Sequence, residues 1–235
     1  MSFGFKQFFI DDSHCAMKVG TDGVLLGAWA DVDRATHVLD VGAGSGLLSL
    51  MVAQRSERAM VTALEVDADA AADCAANFKL SPWPERLSVI CSDFAHFTPD
   101  KRYDLIISNP PFFTEDTHSP DQHRGLARHG AALSPRTLVA FAGTHLAEDG
   151  TLAMVTAADA EEDVRLEAEL AGLTVQRLAH VHTNMRKPAK RLLWQIDRRA
   201  KGSTSVETVA IRDDHNSWTQ WYTTLTAPFY LKIPN

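Results

Sequence analysis

The sequence lacks three features that would each indicate a particular class of protein. No apolar run reaches the 18 or so residues that a membrane-spanning helix needs. The N-terminus carries Lys6 and Asp11 where a secretory signal would need an apolar block. Cys15, Cys74 and Cys91 lie far apart without a C-x-x-C pair, which argues against a disulfide framework or a zinc site. We therefore expect a cytoplasmic protein with reduced thiols and without membrane or metal partners.

The sequence also lacks the excess of basic residues that is typical of a nucleic-acid-binding domain. Its net charge is −7 and its pI is about 5.8. Between positions 184 and 201, however, seven basic residues face Asp197 alone, a local balance of +6. We call this segment the basic stripe; it is either an RNA-backbone contact or a solvated turn. The candidate RNA contacts are Arg186, Lys187, Lys190 and Arg191.

The order of the predicted elements indicates an α/β fold. The chain has 235 residues, 45% of them hydrophobic, enough for one domain with a full core. Seven apolar strands are predicted, the first beginning at His37 and the others being Val61–Leu64, Leu87–Cys91, Tyr103–Ser108, Gly150–Thr156, Leu173–His182 and Leu192–Ile196. Helices are predicted at Leu47–Gln54, Ala68–Leu80, Ser134–Ala147 and Asp159–Ala171. We expect a mostly parallel sheet, and the last two strands, joined without a helix, should form an antiparallel hairpin.

The ends of the chain are predicted to add to this core. Residues 1–34 form an N-terminal extension, residues 35–200 the core, and residues 201–235 a tail that packs on the core. Phe3–Ile10 is rich in strand-forming residues and predicts a short hairpin or an edge segment. Asp22 is predicted to be the N-cap of a short apolar helix.

A glycine-rich loop follows the first core strand. Gly42, Gly44 and Gly46 form G-x-G-x-G after Asp40, and glycine lets a ligand approach the backbone closely. The second strand ends at Glu65, 23 residues after the first glycine, where a carboxylate can accept hydrogen bonds from ribose hydroxyls. Strand, loop, helix, strand and acid together predict a nucleoside-binding site. A loop without a ligand is the weaker alternative.

The fourth strand ends abruptly at Asn109, Pro110, Pro111 and Phe112. In an open parallel sheet, ligands bind beyond the carboxyl ends of the strands. The prolines fix the local backbone, so that the Asn109 amide and the Pro110 carbonyl present two acceptors beside an aromatic ring. Two acceptors and a ring can hold the planar amino group of a base. An ordinary strand-ending turn is the alternative.

Other polar residues stand at two further places where a ligand could bind. Asp93 and Phe94 follow the third strand, where Asp93 could accept from an adenine amino group or simply cap a helix. Lys18, Thr21 and Asp22 stand before a helix start, a position that favours anionic groups. Residues 113–132 lack periodicity and contain three histidines; we expect a substrate-contacting loop rather than a metal site.

This arrangement resembles the class I S-adenosylmethionine-dependent methyltransferases from about Ala35 to Arg198. The Asn-Pro-Pro-aromatic motif is similar to that of enzymes that methylate adenine, guanine or the glutamine of release factors. The resemblance implies that S-adenosylmethionine is the cofactor, with Asp40 to Gly46 at its methionine end, Glu65 at the ribose, Asp93 and Phe94 at the adenine, and Asn109 to Phe112 at the target amine. The implied cofactor contacts are Lys18, Thr21, Asp22, Asp40, Gly42, Ala43, Gly44, Gly46, Glu65, Val66, Asp93, Phe94 and Asn109.

The ends of the chain narrow this resemblance. Met17–Trp29 and Leu225–Lys232 resemble the bacterial tRNA (adenine-N6)-methyltransferases that modify adenine-37 of a valine tRNA. The glutamine and ribosomal-guanine enzymes carry an additional N-terminal domain, for which the roughly 36 residues before the first core strand are too few. The resemblance implies tRNA as the partner, and we expect the protein to be a monomer. The motif of residues 124–129 matches no pattern of this family, so the target stays open.

Two other functional classes share part of this pattern. An NAD-dependent oxidoreductase would share the glycine loop and Glu65, but it would leave Asn109 to Phe112 without a role. A non-catalytic RNA-binding module would explain the basic stripe but neither the glycine loop nor the amine-binding motif.

Overall fold

The computed structural model describes residues 2–111, 133–199 and 202–231. The strands are β1 (Ser2–Gly4), β2 (Phe9–Asp11), β3 (His37–Val41), β4 (Met60–Glu65), β5 (Leu87–Cys91), β6 (Tyr103–Ser108), β7 (Leu146–Ala157), β8 (Thr174–His182), β9 (Ala189–Asp197) and β10 (Ser205–Ala210). The helices are α1 (Thr21–Trp29), α2 (Leu47–Arg55), α3 (Ala68–Leu80), α4 (Pro135–His145), α5 (Glu161–Leu170) and α6 (Gln220–Thr226).

Eight of the strands form one sheet in the order β10-β8-β9-β7-β6-β3-β4-β5. β9 runs antiparallel to both of its neighbours, and the other pairs are parallel. The predicted α/β class, the parallel core and the β8–β9 hairpin are therefore confirmed. The prediction of seven strands is wrong, because β10 adds an eighth at the edge beside β8. The polar composition of this segment does not predict a strand, but a strand at the edge of a sheet tolerates such a composition.

The sheet is buried between two hydrophobic clusters, one on each face. In β6, Leu105 and Ile107 belong to one cluster and Ile106 to the other, as alternating side chains require. Helices α1, α2 and α3 contribute to the first cluster, and α4 and α5 to the second. β6 is thus buried on both faces, as its apolar run predicts, and it holds the residues that follow it rigidly.

The two ends of the described chain meet beside this core. β1 and β2 form the predicted N-terminal hairpin. The backbone N–H of Lys6 donates to the Phe229 carbonyl at 2.8 Å, and Phe5 forms an antiparallel bridge to Tyr230. Tyr222 and Phe229 are buried. The first and last segments therefore support one another next to α1 and α3.

The start of α1 differs from the prediction. Gly20, in an extended conformation, is the N-cap, and Asp22 lies in the first turn. Asp22 was a plausible cap by residue type, but its carboxylate instead accepts a hydrogen bond from Arg191 at 2.7 Å. Asp22 thus takes part in a long-range ion pair and does not cap the helix.

Three observations bear on redox state, membranes and metals. Cys15, Cys74 and Cys91 are free thiols, as predicted. In the parts of the chain that the structure describes, no helix is both long enough and apolar enough to span a bilayer. Nor do those parts group three or more His, Cys, Asp or Glu side chains so that they could hold a metal ion. The histidines at positions 118, 123 and 129 lie outside the described residues.

Candidate functional site

The carboxyl ends of β3, β4, β5 and β6 lie at one edge of the sheet. Their register places Val41 beside Leu64 and Glu65 beside Cys91. Ser108 Oγ donates to the Val41 carbonyl at 2.7 Å, which ties the end of β6 to the end of β3. Glu65 ends β4, and the glycine loop, Asp93 and Asn109 follow the other three strands, so these residues lie at one end of the sheet. We call this place, where ligands bind in open parallel sheets, the crevice.

The glycine loop has a positive φ at each of its three glycines: 69° at Gly42, 54° at Gly44 and 83° at Gly46. A side chain at Gly46 would lie 2.5 Å from the Phe78 ring, and one at Gly42 would lie 2.8 Å from Leu133. At Gly44, by contrast, a side chain would meet nothing within 4 Å. Gly42 and Gly46 therefore serve close packing, whereas Gly44 leaves open space beside the backbone that a ligand could use.

Glu65 is joined to this loop. Its Oε2 accepts from the Gly44 N–H at 2.7 Å, and its Oε1 accepts from the N–H groups of Val66 and Asp67 at 2.9 and 3.0 Å. The Glu65 side chain is buried. The carboxylate therefore holds the loop over the end of β4. Val66 takes part through its backbone N–H, which donates to this carboxylate.

Asp40 lies at the base of the loop and is fully buried. Its Oδ2 accepts from the backbone N–H and the hydroxyl of Ser49 in α2, at 3.0 and 2.7 Å. Its Oδ1 has no hydrogen-bond partner among the described residues. Burial raises the pKa of Asp40 to about 7, against the lowering effect of the Ser49 hydrogen bonds. The structure thus places this carboxylate between β3 and α2.

Asp93 and Phe94 begin a short 3-10 turn after β5. Asp93 Oδ1 accepts from the Ala95 N–H at 2.9 Å, so the capping role considered for it is present. The ring of Phe94 lies 5.0 Å from the ring of Phe141 in α4, tilted by 56°. Phe94 remains half-buried, so part of its ring is accessible.

Asn109 follows β6 beside the N-terminal extension. Its Nδ2 donates to the sulfur of Met17 at 3.6 Å, and a side chain at Gly23 would lie 3.7 Å from the same nitrogen. Its Oδ1 is buried and has no partner among the described residues. Pro110 is buried and Pro111 half-buried, whereas Phe112 lies outside the described residues. The structure therefore presents an unused acceptor at the sheet edge.

Lys18, Thr21 and Asp22 lie just before α1 or in its first turn. Lys18 Nζ donates to the carbonyls of Asp12 and Ser13 at 2.5 and 3.0 Å. Thr21 is exposed at the first position of α1. Asp22 is paired with Arg191. Lys18 and Asp22 thus already have partners within the chain.

Two residues of α3 that the sequence did not single out tie the N-terminal extension to the site. Asn77, 2% exposed, accepts from the Asp11 N–H at 2.9 Å and donates to the carbonyls of Asp11 and Ser45 at 2.8 and 2.9 Å. Asp73 accepts from the backbone and ring of His14, both at 2.8 Å. This bond raises the pKa of His14. Nothing in an Ala-rich helix marks Asp73 or Asn77 locally, because their partners lie 32 to 66 residues away in the sequence.

The basic stripe is less free than its composition suggests. Arg186 pairs with Asp214 at 2.9 Å, Arg191 with Asp22 at 2.7 Å, and Arg199 with Glu148. Lys187 and Lys190 are exposed. The prediction of one strong positive stripe is therefore wrong in part, since acids distant in sequence offset several of its charges. The hairpin turn lies at the same end of the sheet as Asn109, because β8 runs in the same direction as β6 and ends there.

The sequence comparisons show a methyltransferase family, and a structural comparison shows the same kind of fold. The family model described as Methyltransferase small domain matches residues 13–180. Proteins named tRNA1(Val) (adenine(37)-N6)-methyltransferase from Phocaeicola vulgatus and Shewanella amazonensis are 38% and 41% identical to the chain. The alignments cover 98% of both chains in the first case, and 99% of this chain and 100% of the relative in the second. A predicted O-methyltransferase from Agrobacterium tumefaciens has a similar fold, with a TM-score of 0.67, 20% identity and coverage of 88% of this chain and 96% of its own.

Proposed function

Because the chain belongs to the tRNA1(Val) (adenine(37)-N6)-methyltransferase family, we propose that it methylates N6 of adenine-37 in a valine tRNA. S-adenosylmethionine is the proposed methyl donor, and the cytoplasm, where tRNA is modified, is the proposed compartment. The whole-chain similarity to these relatives supports the substrate. The geometry of the crevice supports the chemistry.

The crevice fits the cofactor at several points. Gly44 leaves open space beside its backbone, where a ligand can approach. The Glu65 carboxylate, already placed by backbone N–H groups, lies where ribose hydroxyls would donate to it. Asp93 and the accessible part of the Phe94 ring suit the adenine. We propose that these residues hold S-adenosylmethionine, with Gly42, Ala43 and Gly46 completing the loop.

The observation that carries the proposed reaction is the buried, unused acceptor Oδ1 of Asn109. A buried acceptor without a donor costs free energy, on the order of 1–3 kcal/mol. A protein keeps such a group where a bound ligand supplies the missing donor. The amide nitrogen is directed to Met17 instead, so the oxygen is the atom left for a substrate. An amino group, which only donates when it is conjugated to a base, is the complementary partner.

The protein's own contribution to the reaction is positional. Asn109 Oδ1 and the Pro110 carbonyl each accept one N–H of the exocyclic amine, which draws the nitrogen lone pair out of conjugation with the ring. When bound, S-adenosylmethionine supplies an electrophilic methyl group on a sulfonium ion. The amine nitrogen would form its bond to the methyl carbon as the carbon–sulfur bond breaks, with S-adenosylhomocysteine as the leaving group, and the methylated nitrogen would then lose a proton to solvent. Positioning and polarisation of the amine therefore provide most of the catalysis, without a strong general base.

The RNA is proposed to approach along the β8–β9 hairpin. Lys187 and Lys190 are exposed there, and Arg186, 69% exposed, pairs with an exposed acid, Asp214, that a phosphate could replace. The hairpin turn and Asn109 share the same sheet edge. A base in the anticodon loop can leave its stack to enter the crevice at a cost of a few kcal/mol, which phosphate contacts on the hairpin would offset.

A transfer assay with methyl-labelled S-adenosylmethionine tests this function. We expect label in unmodified tRNA, recovered as N6-methyladenosine at position 37, and none in ribosomal RNA or release factor. Incorporation into either of the latter two, with none in tRNA, would reject the proposed substrate. The Asn109→Ala variant serves as the control for incorporation that does not depend on this site.

A further inference from the structure

The pairing of Arg191 with Asp22 joins two distant parts of the chain at the proposed reaction site. Arg191 Nε donates to Asp22 Oδ2 at 2.7 Å, across 169 residues of sequence. A second bond, from Arg191 Nη1 to the Lys190 carbonyl at 3.0 Å, fixes the guanidinium against its own strand. The two side chains are 32% and 28% exposed, so solvent reaches the pair only in part.

The strand register places Arg191 close to the proposed amine site. Arg191 lies opposite Ala157, the last residue of β7. In the neighbouring parallel pair, Ser108 at the end of β6 lies beside Met154 of β7. The carboxyl ends of β6 and β7 and the beginning of β9 therefore lie at the same end of the sheet. Asn109 is there too, because it follows Ser108.

The partner residue Asp22 belongs to a turn that lies beside Asn109. Gly23, the next residue, is buried, and a side chain there would lie 3.7 Å from Asn109 Nδ2 and 2.9 Å from Leu47. The first turn of α1 thus lies close to both Asn109 and Leu47 of α2. The N-cap Gly20 makes no side-chain cap bond, so the Asp22 pair with Arg191 is a major polar restraint on this turn.

We infer that the Asp22–Arg191 pair positions the first turn of α1 against Asn109 and thereby couples the β8–β9 hairpin to the proposed amine-binding site. Both residues are positioning residues, since they act through Asn109. Arg191 is then not an RNA-backbone contact, and Asp22 is not a cofactor contact. The inference rests on the proposed methyl transfer for its role in catalysis, and on the contacts above for its role in the fold.

A double-mutant cycle tests the coupling. The variants are Asp22→Asn, Arg191→Gln and the two together, with Arg191→Lys to retain the charge and Lys190→Ser as the matched control on the same strand.

Each single change should lower kcat about tenfold or more, because small displacements of reacting groups are costly. The double variant should be no slower than either single one, because both act on the same turn. KM for tRNA and the affinity for S-adenosylhomocysteine should stay within about twofold, and Arg191→Lys should recover part of kcat. Lys190→Ser should instead raise KM with kcat retained.

Three results would overturn the inference. A raised KM for tRNA with normal kcat in Arg191→Gln would make Arg191 an RNA contact. Weaker S-adenosylhomocysteine binding in Asp22→Asn would make Asp22 a cofactor contact. Additive losses in the double variant would mean that the residues act separately. If the wild-type protein does not methylate tRNA, the proposed function fails, and amide hydrogen exchange then tests the inference by itself. Exchange in the first turn of α1 should be faster than in the wild type by the same factor in both single variants. Unchanged exchange rates would reject the inference.

Discussion

The backbone N–H of Gly44 lies 2.7 Å from Oε2 of Glu65, so the open position of the glycine loop is held by the acid that is proposed to bind ribose. One carboxylate therefore serves both the loop and the nucleoside. The two roles are coupled, because loss of the side chain would release the loop and remove the ribose acceptor together.

We expect Glu65→Ala to weaken binding of S-adenosylmethionine and S-adenosylhomocysteine alike, since both carry the same ribose. Loss of hydrogen bonds to a charged acceptor should cost roughly 1.5–3 kcal/mol. Calorimetric titration of both ligands measures the change, with the exposed acid change Glu57→Ala as the control. Unchanged affinity in Glu65→Ala would show that this acid does not bind the cofactor.

Asn77 should matter to cofactor binding although it lies outside the crevice. Replacing it with alanine leaves the Asp11 backbone and the Ser45 carbonyl without their partners, which should cost about 1–3 kcal/mol of stability. Because Ser45 belongs to the glycine loop, affinity for S-adenosylhomocysteine should fall as well. Urea unfolding and calorimetry measure the two effects, and the exposed change Lys79→Ala on the same helix should alter neither. A stable variant with full affinity would contradict the tether.

These residues show what the sequence could and could not predict. The sequence predicts that Glu65 and Asn109 lie at the carboxyl ends of buried parallel strands, and the structure confirms these positions. Asn77 and the Asp22–Arg191 pair depend on contacts across 32 to 169 residues, for which no local pattern exists. The sequence does not predict β10, because an edge strand needs little apolar character. Local sequence patterns therefore predict which residues lie at the carboxyl ends of the strands. The long-range contacts that hold these residues in place are visible only in the tertiary structure.

The buried Asp40 predicts a dependence of stability on pH. Its pKa of about 7 in the folded protein is above the ordinary value of 3.8, so folding favours the protonated form. Ionisation in the folded state is therefore penalised, and the stability of the wild type should fall as pH rises from about 4 to 7 and level off above that range. Asp40→Asn keeps an acceptor for Ser49 and cannot ionise. Urea unfolding of both proteins at several pH values should show the wild type losing stability relative to the variant as pH rises; parallel curves would refute the shift.

Asn109→Ala should abolish methyl transfer while cofactor affinity stays within a few-fold, because its amide is proposed to hold the amine and not the cofactor. Single-turnover transfer to tRNA and calorimetry with S-adenosylhomocysteine separate the two. Asn109→Asp tests the atom itself: it retains an oxygen acceptor but loses the donor to Met17, so it should keep more activity than alanine. Turnover at the wild-type rate in Asn109→Ala would rule out the proposed mechanism.

The exposed lysines of the hairpin should affect RNA binding alone. Lys187 and Lys190 are exposed near the turn at the sheet edge of Asn109, whereas Arg191 is engaged with Asp22. Changing both lysines to serine should raise KM for tRNA and reduce the salt dependence of binding, by a slope of roughly 0.7 to 0.9 for each lost phosphate contact. Changing the exposed Lys79 and Lys101 to serine removes the same charge elsewhere and should leave both quantities unchanged. Equal effects in the two double variants would indicate a general response to net charge, and no effect in either would mean that the RNA binds through another surface.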